Sequence, residues 1–137
     1  MCLKKVFSLV NDSVKIKEAM DVAKNHIISS KTLLDMGQYR NSITLSYYAM
    51  YTAAYAALIK KESNPGTHEG VLSEFARLYV KDGSFSHQIY KTFSYAKASR
   101  KDASYDFSIN FSEDLAQNTF WDAQIFVEEI EKLLLIK

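Results

Sequence analysis

Long stretches without glycine or proline constrain the fold of this chain more than any other feature. Its 137 residues contain four glycines and one proline, and the clearest breaks are Gly37, Asn64–Gly66 and Asp82–Ser84. Between these breaks, apolar residues recur at alternating steps of three and four, which places them on one face of an α-helix. No run of alternating β-branched residues competes with this pattern. The sequence therefore predicts an all-α protein, an antiparallel up-and-down bundle of four to five helices.

The periodicity predicts where each helix begins and ends. The first should run from about Ser13 to Met36, with Gly37 as its C-terminal cap. The last should begin near Ser112, an N-cap residue followed by two acidic residues. The other three are expected at about Gln38–Lys60, Thr67–Lys81 and Phe85–Lys101. The second helix is apolar on two sides, which is typical of a helix at the centre of a bundle or at a subunit interface.

Tyrosines are concentrated in the second helix. Nine occur in the chain, and Tyr47, Tyr48, Tyr51 and Tyr55 are crowded together there. One interpretation is that they pack in the core and direct their hydroxyls to its rim. The other is that some of them stack on bases at an RNA-binding surface. The sequence favours the first interpretation.

Length, charge and cysteine content limit the class of protein. A single domain is expected over residues 1–137, with its core within about 12–135. The net charge of +1 offers no general excess of Lys and Arg for nucleic acid, so RNA contact would need a local patch. No stretch approaches the roughly 20 apolar residues of a transmembrane helix. Cys2 is the only cysteine, so no intramolecular disulfide can form. We expect a cytoplasmic protein with no membrane association and no cofactor.

Familiar catalytic patterns are absent from the sequence, which has no Glu-x-x-His pair, glycine-rich phosphate loop or Gly-x-Ser-x-Gly elbow. His26, His68 and His87 lie far apart, so no metal site is expected. Cys2 should lie in a mobile terminus, a poor place for a nucleophile. His68 follows Thr67 at the start of the third helix. It either helps that helix to begin or lies in a cleft where anions are favoured.

Arg100 is the one residue whose position is unusual on physical grounds. It shares an inward-facing stripe of the fourth helix with Phe93 and Ala96. Because a guanidinium keeps its charge, such an arginine needs a partner or a water-filled cleft. One interpretation is a structural ion pair with Asp102 or Asp106. The other is a phosphate-binding arginine in a cleft, which two subunits could form together.

Three segments in order resemble the HEPN domain family, in particular a branch that accompanies minimal nucleotidyltransferases. Gly37–Leu58 is similar to the second helix of that branch, and Thr67–Val71 with Val80–Gly83 is similar to its third. Arg100–Asp106 resembles its Arg-x-x-Ala-Asp-Tyr-Asp signature, although Ser104 stands where that signature has Asp. The resemblance covers about residues 12–135. It implies a bundle of four or five helices, usually a homodimer, with a cleft at the dimer interface.

The resemblance also implies an activity and a partner. Many members are toxins that cut RNA without a metal, and their antitoxin is a minimal nucleotidyltransferase. The motif of those nucleases is Arg, four to six residues, then His. Arg100 matches the arginine, but Tyr105, Asp106 and Phe107 occupy the places for histidine. A tyrosine with a pKa of about 10 transfers protons poorly near neutral pH, and His68 is a second candidate for this role if folding brings it to the cleft.

In some related toxins the partner transfers a nucleotide to a tyrosine two residues after the motif histidine. Phe107 stands at that place, and Tyr105 is the closest hydroxyl. The resemblance thus gives Arg100, Tyr105 and His68 as candidate catalytic residues. The candidates for binding nucleotide or RNA are Arg100, Lys101, Asp102 and Asp106.

Three functions remain open at this point. The first is a dimeric nucleotide- or RNA-binding component of a toxin–antitoxin-like pair with a minimal nucleotidyltransferase. The second is a metal-independent ribonuclease toxin, and the third is a non-catalytic helical interaction protein in which Arg100 forms a structural ion pair. The missing histidine and the nearly neutral charge favour the first.

Overall fold

Residues 3–135 are described by a computed structural model, and within that range the chain forms five α-helices and no β-strand. The helices are α1 (Leu3–Asp35), α2 (Tyr39–Lys60), α3 (His68–Phe75), α4 (His87–Tyr105) and α5 (Glu113–Leu135). A π-helical turn, Ala76–Val80, continues α3. The predicted all-α class is confirmed. Cys2, predicted to be an unreactive terminal residue, lies outside the described residues.

Helix α2 lies at the centre and contacts α1, α3, α4 and α5. Its position explains why it is apolar on two sides. Four alanines of its C-terminal half, Ala53, Ala54, Ala56 and Ala57, are fully buried and let the neighbouring helices approach closely. Large side chains from α3, α4 and α5 complete the core, including Phe75, Phe93 and Phe126.

Three serines join α1 to α2 inside the bundle. Ser30, Ser42 and Ser46 are fully buried. The hydroxyl oxygen of Ser30 lies 2.6 Å from that of Ser46 and 3.1 Å from that of Ser42, and Ser42 donates to the Ser30 carbonyl at 2.9 Å. Small side chains allow the two backbones to come close. The shared hydrogen bonds satisfy hydroxyls that would otherwise be buried without partners.

Helix α1 begins earlier than the sequence indicated. The predicted start is Ser13, but the helix already runs from Leu3 and includes Asn11 and Asp12 in its interior. These residue types disfavour a helix interior by only a few tenths of a kcal/mol, unlike proline. The end was predicted correctly, since Gly37 adopts a left-handed φ of 77°. Its N–H donates to Leu34 and that of Gln38 donates to Leu33, which is the Schellman cap.

The remaining helices agree with prediction within a few residues. Thr67 and Ser86 cap the N-termini of α3 and α4 through their hydroxyl oxygens. Ser112, the predicted N-cap of α5, accepts a hydrogen bond from the N–H of Leu115 at 3.1 Å. Helix α4 extends to Tyr105, beyond the predicted end at Lys101. No helix among residues 3–135 is long and apolar enough to cross a membrane.

Candidate functional site

Three helices bring aromatic and basic side chains together at one edge of the core. Tyr47, Tyr48 and Tyr51 of α2 meet His68 of α3 and Arg100 of α4, and we call these five residues the Arg100 cluster. Helical geometry places the tyrosines on neighbouring faces of α2. The Thr67 hydroxyl accepts from the Gly70 N–H at 2.9 Å, which fixes the start of α3 and hence the position of His68.

His68 is enclosed by tyrosine rings. The Tyr47 hydroxyl oxygen lies 2.7 Å from its Nδ1. The Tyr51 ring stacks on the imidazole with 4.4 Å between centroids, and the Tyr48 ring meets it edge-on at 6.2 Å. These contacts leave His68 partly exposed while fixing the plane of its ring.

Arg100 contacts two of the same tyrosines, Tyr47 and Tyr48. Its Nη2 donates to the Tyr48 hydroxyl at 2.7 Å. The guanidinium carbon lies 5.3 Å from the centroid of the Tyr48 ring and 5.7 Å from that of Tyr47, within cation–π range. Its Nε is buried and has no hydrogen-bond partner among the described residues. Burying the Nε–H of a guanidinium without an acceptor costs free energy, because the hydrogen bond to water is lost and is not replaced.

Positive charges surround His68 in the Arg100 cluster. Burial lowers the pKa of His68 below its ordinary value of 6.5, and the charges of Arg100 and Lys97 lower it further. The imidazole is therefore neutral at pH 7. Burial also raises the pKa of Tyr47 and of Tyr51, so both hydroxyls keep their protons. The Lys97 ammonium lies 3.8 Å from the exposed carboxylate of Glu69.

Of the two interpretations of Arg100, the structural ion pair with Asp102 or Asp106 is wrong. Within residues 3–135, neither Asp102 nor Asp106 forms a salt bridge or hydrogen bond with it, and both are exposed. The side chain of Asp106 instead accepts from the N–H of Ser108 at 3.0 Å. Arg100 lies one turn before the end of α4 and points at α2, because its stripe continues that of the buried residues.

The other predicted site residues stay apart from the cluster. Tyr105 is 69% exposed and Lys101 is exposed as well. Neither has a hydrogen bond or ring contact with His68 or Arg100 in the described part of the chain. Of the three candidate catalytic residues, Arg100 and His68 thus share tyrosine partners, while Tyr105 does not join them.

Arg40 is an important residue that sequence reasoning did not single out. Its guanidinium donates to the carbonyls of Ala103 at 2.6 Å, Asp106 at 3.2 Å and Ile109 at 2.6 Å. It also lies 5.0 Å from the centroid of the Phe111 ring. Arg40 therefore orders the end of α4 and the connection to α5. The only signal in the sequence was its place within the segment that resembles the second HEPN helix.

The tyrosines follow the interpretation that the sequence favoured. Tyr47 is fully buried, and Tyr48, Tyr51 and Tyr55 pack partly buried against the core. Their hydroxyls reach its rim, where Tyr55 donates to the Asn64 side chain at 2.7 Å.

The cluster is chemically suited to an anion. Arg100 Nη1 and His68 Nε2 have no hydrogen-bond partner in the described range, and neither atom is buried. No carboxylate in that range bonds to either side chain. Among residues 3–135, no group of three His, Cys, Asp or Glu side chains is placed to hold a metal ion.

The five helices agree with the bundle of four or five that the HEPN resemblance implies. The HEPN domain model matches residues 16–133, and the chain belongs to this family. Two relatives are from Methanocaldococcus jannaschii. One, named "Putative toxin MJ0605", is 29% identical over 132 residues, covering 93% of this chain and 96% of the relative. The other, "Putative toxin MJ0142", is 26% identical over 90% of this chain and 84% of the relative. A UPF0332 protein of Thermotoga maritima is 28% identical over 82% and 85% of the two chains.

Proposed function

We propose that this HEPN-family chain binds a phosphate group of RNA or of a nucleotide through the Arg100 cluster. In this proposal it forms a homodimer and is the toxin-side component of a pair whose other member is a minimal nucleotidyltransferase. The observation that carries the binding proposal is the guanidinium of Arg100, which has no carboxylate partner within residues 3–135 and contacts the same Tyr47 and Tyr48 rings as His68. The toxin names of the two relatives support the role in a pair.

The chemistry of the cluster favours phosphate over a neutral ligand. One nitrogen of Arg100, Nη1, and one of His68, Nε2, have no hydrogen-bond partner within residues 3–135, and both side chains contact the Tyr47 and Tyr48 rings. Charged guanidinium donors bind phosphate oxygens more strongly than neutral donors do. The partly buried rings reduce competition from water, which strengthens such contacts.

Binding can be tested by titrating a short single-stranded RNA, and separately ATP, into the protein. Replacing Arg100 with Ala should weaken binding about tenfold or more, because a hydrogen bond to a charged group is lost. Arg77→Ala is the matched control, since Arg77 is exposed and pairs with Glu74 away from the cluster. Circular dichroism of each variant verifies the fold. If wild type binds neither ligand, or if both variants weaken binding equally, the proposal is wrong.

The role in a pair needs its own test. The proposal expects a gene for a minimal nucleotidyltransferase next to the gene for this chain. Expression of the chain alone should slow growth, and co-expression of that nucleotidyltransferase should restore growth and yield a complex on purification. Light scattering of the isolated chain should give twice the mass of one copy. Normal growth together with the absence of any complex would leave only an interaction role.

A metal-independent ribonuclease is the second candidate, and the neutral imidazole of His68 near Arg100 favours it. Such an imidazole can accept a proton from a ribose hydroxyl. Wild-type protein should then cut single-stranded RNA in the presence of a chelator. His68→Asn should abolish cleavage, while His87→Asn, which alters an exposed histidine, should not. RNA left intact by the wild type would contradict this candidate.

A further inference from the structure

The hydrogen bond between Tyr47 and His68 has an asymmetry that follows from burial. The Tyr47 side chain is fully buried, and Nδ1 of His68 is its only hydrogen-bond partner among residues 3–135. A phenol carries one hydrogen to donate, whereas a neutral imidazole has one donor nitrogen and one acceptor nitrogen. The bond can therefore be made in two ways, and they place the imidazole proton on different nitrogens.

Only one of the two arrangements satisfies the buried hydroxyl. If Tyr47 donates to Nδ1, its hydrogen has an acceptor and the imidazole proton is on Nε2. If Nδ1–H donates to Tyr47 instead, the phenol hydrogen is buried without an acceptor, which folded proteins avoid. The phenol does not lose this hydrogen by deprotonation, because burial raises the pKa of Tyr47. The imidazole of His68 is neutral near pH 7, so it has one acceptor nitrogen. The population of the first arrangement should exceed that of the second by about tenfold.

We propose that Tyr47 is a positioning residue that holds His68 in the tautomer with its proton on Nε2, so that His68 meets the ligand as a hydrogen-bond donor. This inference rests on the proposed function, and it specifies what the Arg100 cluster offers. Nε2 has no partner within the described residues and is not fully buried. Together with Arg100, the site presents an N–H of imidazole and an N–H of guanidinium to one ligand. Such a donor pair fits the unesterified oxygens of a phosphate group.

The tautomer also separates the two candidate functions. A general base needs a lone pair on the nitrogen that faces its substrate. With the proton on Nε2, the lone pair of His68 lies on Nδ1, where the hydroxyl of Tyr47 occupies it. The ligand-free protein therefore favours binding of phosphate through His68 over removal of a proton by it.

The tautomer can be measured directly by nitrogen-15 NMR of the histidine rings in the ligand-free protein. The three histidines are assigned with His68→Asn, which removes one set of signals. We expect Nε2 of His68 to carry the proton and Nδ1 to show the shift of an unprotonated nitrogen. A proton on Nδ1 would overturn the inference, and this result needs no variant of Tyr47.

Tyr47→Phe tests whether the hydroxyl is the cause, and Tyr55→Phe is its matched control. Both remove a phenol oxygen from α2, but the hydroxyl of Tyr55 bonds to Asn64. Tyr47→Phe should produce a mixture of the two tautomers, while Tyr55→Phe should leave the tautomer of His68 unchanged. Unaltered His68 signals in folded Tyr47→Phe would show that something other than Tyr47 sets the tautomer.

Ligand binding by the same variants distinguishes the inference from the proposed function. With inorganic phosphate and a short RNA as probes, Tyr47→Phe should weaken binding several-fold and Tyr55→Phe should not. If the Nε2–H tautomer is observed but wild type binds neither probe, the proposed function fails and the tautomer assignment stands. If wild type binds but His68 carries its proton on Nδ1, the inference fails and the function stands.

Discussion

Adjacent tyrosines in α2 have different surroundings because a helix rotates successive side chains by about 100°. Tyr47 is fully buried and bonds to His68, whereas Tyr48 is partly buried and accepts from Arg100. Their side chains thereby connect residues that are 32 positions apart in sequence, from position 68 to position 100. No spacing rule reveals such a pair. The sequence could predict that Arg100 needs a partner, but it could not show that the partner is a phenol rather than a carboxylate.

The acidity of the histidines predicts how stability depends on pH. Burial lowers the pKa of His26 and of His68, so both are neutral in the folded chain while the unfolded chain binds protons near pH 6.5. The unfolded state then binds more protons as pH falls below that value, which favours unfolding. Stability should be complete above pH 6.5 and fall as the pH drops toward the lowered pKa values.

Denaturation by urea at about pH 7.5 and about pH 5.5 measures this effect, and the free energy of unfolding should be lower at about pH 5.5. His68→Asn should reduce the difference between the two pH values. His87→Asn, which changes an exposed side chain, should not. Equal stability of the wild type at both pH values would contradict the prediction.

At the scale of helices, the sequence predicted well which segments are helical and which face of each helix is buried, because burial sets the three–four periodicity. It predicted termini less well where no strong signal existed. The first turns of α1, residues 3–15, are mostly exposed. Because they bury no continuous apolar stripe, the sequence contains no periodic signal for a helix start at Leu3. The π-helical turn at Ala76–Val80 inserts one residue per turn and lets Tyr79 donate to the Ala57 carbonyl at 2.6 Å. That contact depends on tertiary packing and has no local sequence signal.

The C-terminus of α2 contains a residue that is unfavourable for its conformation. The N–H groups of Glu62 and Ser63 donate to the carbonyls of Ile59 and Leu58, which makes a Schellman cap like the one after α1. Glu62 occupies the left-handed position with a φ of 57°, where glycine is usual. Residues other than glycine lower the free energy of unfolding by about 1 kcal/mol when they adopt this left-handed conformation.

Glu62→Gly should therefore raise the free energy of unfolding by up to about 1 kcal/mol, measured by urea denaturation. Glu18→Gly is the control, because Glu18 is exposed in the interior of α1 and the same change there should lower stability by about 1 kcal/mol. Loss of stability in Glu62→Gly would show that the side chain contributes more than the strain costs.

The whole molecule depends on α2, since the other four helices all contact it. Arg40, near its start, extends this connection to the carbonyls of Ala103, Asp106 and Ile109. The sequence predicted a single domain, and a central helix of this kind favours unfolding in one step. It could not predict the role of Arg40, because its acceptors are backbone oxygens more than sixty residues away, which carry no residue-specific signal.

We expect the fluorescence of Trp121, the single tryptophan, and far-UV circular dichroism to report one coincident transition in urea. Arg40→Ala should lower the free energy of unfolding by about 2–3 kcal/mol, because three carbonyls lose a charged donor. Both probes should report the same decrease. Arg40→Lys should recover part of the loss. Transitions that separate would contradict the single-domain prediction.

The three buried serines shared by α1 and α2 bear on how this family can change over time. Each hydroxyl completes the hydrogen bonding of another, and all three side chains are fully buried. A substitution at one position therefore alters what the other two tolerate. In an alignment of HEPN relatives, the positions of Ser30, Ser42 and Ser46 should covary, polar with polar or all three as alanine and glycine. Covariation at these positions would record the spacing of the two helices.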